Sequence, residues 1–283
     1  MIDKVFLFHN YGLELENQKP IYQSDSKLII AAKSKEQGEI PVILKFTIIE
    51  GELIDSYLAN FLRVSNLKQH PSILTHHAIH RLDRTVHNFD LLEILEFVDS
   101  VKTSEIVTNG IPIGRLKPII IQLLEGFRFL HSKNILHRDV KPGNILIFED
   151  YRGYNFKIID FDFIGCQENQ KLVTTPEFLA PEVNGFSDYT VKSEIWSIGL
   201  VLYLIFVKEL PFPTREDGLS IQDVKHQVLS SYFDFSQVPS PLRIPISLCL
   251  KSNPDDRIGS VSLLIFMIDP FYFLMCWFRK VLN

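Results

Sequence analysis

His137-Arg138-Asp139-Val140-Lys141-Pro142-Gly143-Asn144 opens the stretch of this 283-residue chain that decides its fold. The stretch continues through Lys157-Ile158-Ile159-Asp160-Phe161-Asp162 and closes on Thr175-Pro176-Glu177-Phe178-Leu179-Ala180-Pro181-Glu182. Asn144-Ile145-Leu146-Ile147-Phe148 and Phe156-Lys157-Ile158-Ile159 are short apolar runs. Their spacing predicts two strands joined by a polar turn, Glu149 to Asn155. Such a hairpin brings Asn144 and Asp160 together at one end. Both side chains offer oxygen, the donor that a hard cation such as Mg²⁺ prefers. Taken singly, each residue has a plainer reading. An Asp after Arg marks a surface turn, an Asn before an apolar run caps or turns the chain, and Ala-Pro-Glu starts a helix with Pro in its first turn. The signal lies in their order and spacing.

In that order and spacing the stretch resembles the catalytic loop, metal-binding aspartate and activation segment of the eukaryotic protein kinases. Phosphoryl transfer asks the protein for in-line positioning and for cations that hold spread negative charge. The resemblance implies that Asp139 is the base for the substrate hydroxyl and that Lys141 reaches the γ-phosphate. Asn144 and Asp160 would hold Mg²⁺, or Mn²⁺ in its place. Thr175 matches the threonine that hydrogen-bonds the catalytic Asp and Lys in Ser/Thr-specific members, so Thr175 and Lys141 together favour Ser/Thr over Tyr substrates. His137, Arg138 and Phe161 take structural places in the same pattern.

Later landmarks continue the resemblance. Lys192-Ser193-Glu194-Ile195-Trp196-Ser197-Ile198-Gly199 resembles the central helix motif of the large lobe, with Glu194 where the family has Asp. That Asp hydrogen-bonds the backbone of the catalytic loop, and Glu needs a backbone shift or another rotamer to do the same. Leu210-Pro211-Phe212 and Asn253-Pro254-Asp255-Asp256-Arg257 also match. Arg257 would form a buried ion pair with Glu182.

The length suits one large domain or two lobes sharing one cleft. Hydrophobic residues at 46% supply a core, and charged residues make up 22%. A net charge of −5 without a dense Lys/Arg run argues against a nucleic-acid partner. Cys166, Cys249 and Cys276 are widely spaced and lack metal-ligand spacing, which reads as free thiols in a reducing, cytoplasmic setting. The N-terminus has no basic flank and long apolar run of a signal peptide.

Residues 1 to about 95 read as mostly strands, among them Val5-Phe6-Leu7-Phe8 and Lys27 to Ala32. Ile40-Pro41-Val42-Ile43-Leu44-Lys45-Phe46 resembles the strand that carries the family's ATP-positioning lysine, here Lys45, for the α- and β-phosphates. Three departures stand out. The glycine-rich loop should fall at Tyr22 to Lys27, just before Ile29, and has no glycine. Ile43 replaces the usual Ala packed on the adenine. The helix within Leu53 to Leu67 places Phe61 near the position of the glutamate that pairs with the lysine, leaving Glu50, Glu52 and Asp55 as nearby upstream acids. Leu91 to Val98 resembles the last small-lobe strand and hinge, with Leu95 as gatekeeper and the backbone of Glu96 to Val98 meeting adenine. Leu146 and Ile29 complete the expected ATP-binding set.

Leu116 to His131 carries Ile119, Ile120, Leu123, Leu124, Phe127 and Leu130 at helical spacing, a core helix. After Phe161, Asp162 replaces the family's glycine. Asp tolerates positive φ better than most residues but adds negative charge near the phosphates. Cys166 to Lys171 holds no Ser, Thr or Tyr, which predicts activity independent of a phosphate on that segment. Val261 to Phe278 is an 18-residue stretch with Asp269 as its lone charge. Asp269-Pro270 near its middle would be expensive in a bilayer. The reading is therefore a last core helix plus an apolar tail. Peripheral membrane association or partner docking through Phe271, Phe273, Trp277 and Phe278 is the alternative.

The predicted architecture is α+β and two-lobed, with a kinase-like small antiparallel β lobe carrying one helix and a larger, mainly helical lobe. The whole of 1–283 reads as one protein kinase domain: about 1–95 small lobe, 96–98 hinge, 99–270 large lobe and 271–283 tail. The function implied is Mg-ATP-dependent phosphorylation of Ser/Thr on protein substrates. A competing reading is a pseudokinase scaffold or allosteric regulator, supported by the altered nucleotide-gripping positions. A small-molecule phosphotransferase is a third, opposed by the ledge-forming segment Thr175 to Glu182.

Overall fold

The computed structural model describes residues 4–15, 19–35, 38–65, 70–99, 113–151, 153–161, 175–184, 188–214 and 218–275. The chain divides into two compact units, Met1–His70 with Leu74–Asp99, and Pro71–Ile73 with Ser100–Asn283.

The first unit is built on an antiparallel sheet of β1 (Leu13–Leu15), β2 (Tyr22–Gln23), β3 (Lys27–Ser34), β4 (Ile40–Thr47), β5 (His76–Arg81) and β6 (Leu91–Glu96). The spatial order is β1-β3-β4-β6-β5, with β2 also on β3. β4 is thus central, and Lys45 lies opposite Ile29 on one side and Glu93 on the other. Ile30 packs with Ala32, Val42, Leu44, Phe46 and Leu92 in a buried apolar cluster.

Helix α1 (Lys4–Tyr11) occupies the run expected to be a strand. Four consecutive apolar residues do not separate strand from buried helix. Here Leu7 is fully buried in the sheet's apolar cluster. Gly12, at φ 60, ends the helix by donating its N–H to Phe8 O at 3.0 Å. With α2 (Ile54–Ser65) and the short α3 (Arg84–His87), this unit has three α-helices among the described residues, where one was expected. The glycine-free stretch forms a tight polar turn between β2 and β3. Ser24 N–H donates to Lys27 O at 2.8 Å, and Lys27 N–H to Ser24 Oγ at 3.1 Å.

The second unit is mainly helical. Its helix α4 (Ile113–Ser132) buries Ile119, Ile120, Leu123, Leu124, Phe127 and Leu130, as their spacing predicts. The hairpin of β7 (Ile145–Asp150) and β8 (Gly153–Ile158) is longer than expected. Glu149 pairs with Tyr154 and Asp150 with Gly153, because backbone pairing continues where side chains are polar and face out. Helix α5 (Val191–Val207) is buried on every side from Ser193 to Leu204 and starts on a reciprocal Thr190–Ser193 cap. It lies close to α7 (Ser240–Cys249): a Cβ on Gly199 would come within 2.5 Å of Cys249 Cβ. Burial pushes the Cys249 thiol up to about 12, which suits an inert core thiol.

Helices α6 (Ile221–Ser230) and α8 (Val261–Ile268) also belong to this unit. α8 buries Val261, Leu264, Ile265 and Ile268, so this part of the apolar stretch is core. Asp269 interrupts it, pairing with Lys117 at 3.0 Å and accepting from Tyr272 N–H at 3.0 Å, before residues 270–275 resume as helix. Among the described residues, no helix is long and apolar enough to cross a membrane. Trp277 and Phe278 lie outside the described residues.

Candidate active site

The loop between α4 and β7 gathers the polar residues singled out in the sequence. Asp139 is its hub. Lys141 Nζ lies 2.7 Å from Asp139 Oδ2 and donates to Thr175 Oγ1 at 2.7 Å. Thr175 Oγ1 donates to Asp139 Oδ1 at 3.2 Å, and Thr175 N–H reaches the same oxygen at 3.3 Å. Asn144 Nδ2 donates to Asp139 O and to Asp139 Oδ2, both at 2.8 Å. Burial works against the Asp139 charge, but the Lys141 ammonium outweighs it and holds the carboxyl below the usual Asp value. Asp139 is therefore a carboxylate at neutral pH, aligned by Lys141, Asn144 and the distant Thr175.

Two neighbouring backbones are strained. Arg138 at φ 68 and Asp160 at φ 56 both sit in the left-handed region. Non-glycine residues held there cost free energy and cluster at functional sites. Asp160 lies just beyond the end of β8, where Ile159 N–H donates to Asn144 O at 3.0 Å. The hairpin thus brings the backbones at Asn144 and Asp160 together, as the sequence pattern required. Phe161 is buried and its ring lies 4.9 Å from that of His137. His137 Nε2 donates to Ile159 O at 2.8 Å, and its Nδ1 accepts from Asp139 N–H at 3.3 Å, which fixes the tautomer. Leu146 is half-buried on β7.

Glu194 supports this loop from α5. Its Oε2 accepts from His137 N–H at 2.6 Å and Arg138 N–H at 3.0 Å. Its Oε1 lies 2.7 Å from His131 Nε2. Burial opposes the charge, yet the His131 hydrogen bond helps hold the carboxyl below the usual Glu value. Arg257 grips Glu182 through two bonds, 2.7 and 2.9 Å, and also binds Lys192 O at 2.8 Å. Ser193 Oγ adds a 3.0 Å bond to Glu182. Ser197 Oγ donates to Phe178 O at 2.7 Å, tying the Thr175 to Glu182 segment to α5.

In the first unit, Lys45 is buried on β4, and its Nζ lies 3.4 Å from Glu93 Oε1 on β6. Leu95 is buried on β6 too, opposite Ile43. Ile29 and Ile43 are half-buried on β3 and β4. Glu96 is held at the strand end, its N–H donating to Thr75 O and its Oε2 accepting from Thr75 N–H, each at 2.9 Å. Val98 is half-buried just beyond. Asp162, Thr174 and the run Cys166 to Lys171 lie outside the described residues.

Comparison with known proteins gives the same answer as the geometry. A family model described as "Protein kinase domain" matches residues 27–266. This chain belongs to the protein kinase family. It is 30% identical over 190 residues to serine/threonine-protein kinase ste20 of Aspergillus fumigatus, covering 65% of this chain and 23% of that protein. Against STE20 of Saccharomyces cerevisiae it is 27% identical over 233 residues, covering 80% and 24%. Against PLK4 of Nematostella vectensis it is 29% identical over 195 residues, covering 67% and 19%. This kinase chain therefore spans about a quarter or less of the length of the relatives it matches.

The sequence leaves the partner of Lys45 open, with Glu50, Glu52 and Asp55 as the nearby acids. Glu50 and Glu52 are exposed, and the Asp55 side chain is 89% exposed and faces Arg81 at 3.7 Å. The acid that the structure places beside Lys45 Nζ is Glu93. A signal was present: an acid inside the apolar run Leu91 to Glu96, on the face shared with Leu91 and Leu95. A buried carboxylate in such a strand needs a cation or hydrogen-bond donor nearby.

Proposed function

We propose that this kinase catalyses Mg-ATP-dependent phosphorylation of Ser or Thr hydroxyls on protein substrates. The Asp139–Lys141–Thr175 arrangement carries the reading: a charged carboxylate, a cation beside it, and a threonine bridging both. Asp139 accepts the proton of the substrate hydroxyl as oxygen attacks the γ-phosphorus. Lys141 holds the γ-phosphoryl oxygens, and Lys45 the α- and β-phosphates. Adenine meets Ile29, Ile43 and Leu95 of the first unit, with the backbone of Glu96 to Val98 at its edge, and Leu146 keeps the ATP-binding role that the family resemblance implies.

The donor set fits a divalent cation. Asn144 spends its amide nitrogen on two Asp139 oxygens, which assigns the amide orientation and leaves its oxygen for a metal. Asp160 adds a carboxylate, and hard cations favour such oxygen ligands. Bound there, Mg²⁺ would neutralise charge on the phosphates. Thr175 supports Ser/Thr specificity by occupying the space beside Asp139 and Lys141. The test is transfer of γ-labelled phosphate to generic protein substrates, followed by phosphoamino-acid analysis. Label on Ser and Thr supports the proposal; label on Tyr alone, or none, removes it.

A second reading is a nucleotide-poor scaffold, favoured by the glycine-free turn Ser24 to Lys27. Glycine allows close backbone approach to phosphate, and this turn lacks it. That change bears on nucleotide affinity, whereas the groups around Asp139 bear on the chemical step.

A further inference from the structure

Protein kinases orient their ATP-binding lysine with a glutamate on the helix that follows, and moving that helix switches the pair on or off. In this chain α2 carries one acid, Asp55, and that side chain is solvent-exposed. Where the helix glutamate is expected stands Phe61, buried and edge-on to His76 with ring centroids 5.0 Å apart. Glu93 instead projects from β6. It is fully buried, lies directly across the strand pair from Lys45, and reaches Lys45 Nζ at 3.4 Å.

Two further groups face Glu93. Tyr57 on α2 donates its hydroxyl to Glu93 Oε1 at 2.5 Å. His76 Nδ1 on β5 lies 3.8 Å from Glu93 Oε2. Three elements thus converge on one acid that no apolar packing need explains. A buried acid needs polar partners, and both the Lys45 and the Tyr57 contacts fall on Oε1.

We propose that Glu93 is the positioning residue for Lys45, a strand-borne replacement for the helix glutamate. Both partners then belong to adjacent strands in fixed register, Lys45 opposite Glu93. Helix α2 contributes a neutral hydroxyl, Tyr57, and no counter-charge. The consequence is regulatory: the lysine keeps its partner whatever the position of α2, and displacement of that helix does not break the ion pair. The inference rests on the kinase reading above for the role of Lys45 toward nucleotide.

A double-mutant cycle in the full chain tests it. ATP affinity, kcat and melting temperature are measured for wild type, Glu93→Leu, Lys45→Met and the double variant, with Asp55→Ala and Glu52→Ala alongside. Each single cycle variant should lower kcat/KM by about 100-fold, the scale of a misplaced reacting group. The double variant should be no worse than Lys45→Met, because Glu93 acts through Lys45. Asp55→Ala and Glu52→Ala should match wild type. Additive losses, or an unchanged Glu93→Leu beside a weakened Asp55→Ala or Glu52→Ala, would overturn the proposal. Placing the acid back on the helix, Phe61→Glu with Glu93→Leu, should recover activity lost in Glu93→Leu alone. Wild type that binds no nucleotide would remove the kinase reading by itself. The pairing would then be read from the four melting temperatures, where additivity overturns it and coupling supports it.

Discussion

The Glu194 carboxylate holds the backbone N–H of His137 at 2.6 Å, from the far side of the loop that carries Asp139. The same oxygen takes Arg138 N–H, and the other oxygen meets His131. The longer side chain thus keeps the anchor to the loop, and its second oxygen is taken up by His131.

Shortening this anchor should therefore harm the protein even though the family favours the shorter acid. Glu194→Asp should lose one charge-assisted bond and about 1.5 kcal/mol of stability; Glu194→Ala should lose about 3 kcal/mol or more, by stranding buried N–H groups. Denaturant unfolding reads both. An Asp variant as stable as wild type would contradict this account of the site.

Removing Glu182 leaves Arg257, whose side chain is 0% exposed, without its carboxylate. Glu182→Gln should cost about 3 kcal/mol, whereas Arg257→Met with Glu182→Gln should cost less than the sum of the single changes. Thermal or denaturant melts of the four proteins decide this.

The pH dependence follows from the same groups. Burial opposes the charge on Glu182, but Arg257 pulls its pKa below the ordinary value; Asp139 and Glu194 are lowered too. A folded-state pKa below the unfolded one gives stability that is fully present above the unfolded value, about 4 for these acids, and is lost as pH falls through the folded value. The contribution of these carboxylates should be fully present down to about pH 5 and be lost below about 4, and Glu182→Gln should flatten that acid limb; His80, whose burial lowers its pKa, adds a separate loss as pH falls below about 6.5. Unfolding midpoints measured from about pH 3 to about pH 7, a range set by those carboxylate values, check the slope.

Thr175 contributes hydroxyl bonds to both Lys141 and Asp139. Thr175→Val should leave the melting temperature near wild type while lowering kcat by roughly 10- to 100-fold, and Thr175→Ser should restore most of it. Equal kinetics in the Val and Ser variants would detach the residue from the chemistry.

Since Cys166 to Lys171 contains no Ser, Thr or Tyr, phosphatase treatment should leave the transfer rate unchanged. Mass spectrometry that finds a stoichiometric phosphate between Asp162 and Thr174, required for turnover, would reverse this.

Much of the site is legible in the chain itself because local order carries it. Asp139, Lys141 and Asn144 lie close together in sequence, and the apolar strands of the β7–β8 hairpin bring the Asn144 and Asp160 backbones together. The period of Ile119 to Leu130 marks α4, since each of those apolar residues faces the core. Val5 to Phe8 reads as a strand, wrongly, because a short apolar run has no period to resolve; the Gly12 cap is the available clue. Glu93 stands out as an acid in an apolar run, but its pairing with Lys45 escapes the sequence for a different reason. Its partner, Lys45, lies far earlier in the chain on a neighbouring strand, and strand register is set by long-range pairing that a local pattern does not reveal.

The most direct measurement is phosphate transfer from γ-labelled ATP with Mg²⁺, wild type against Asp139→Asn, both shown to be folded by their melting curves. Transfer by wild type that falls by at least about 100-fold in the variant is the predicted result. Equal transfer by both proteins, or none above background from wild type at saturating ATP, would contradict the assignment of Asp139 as the catalytic base.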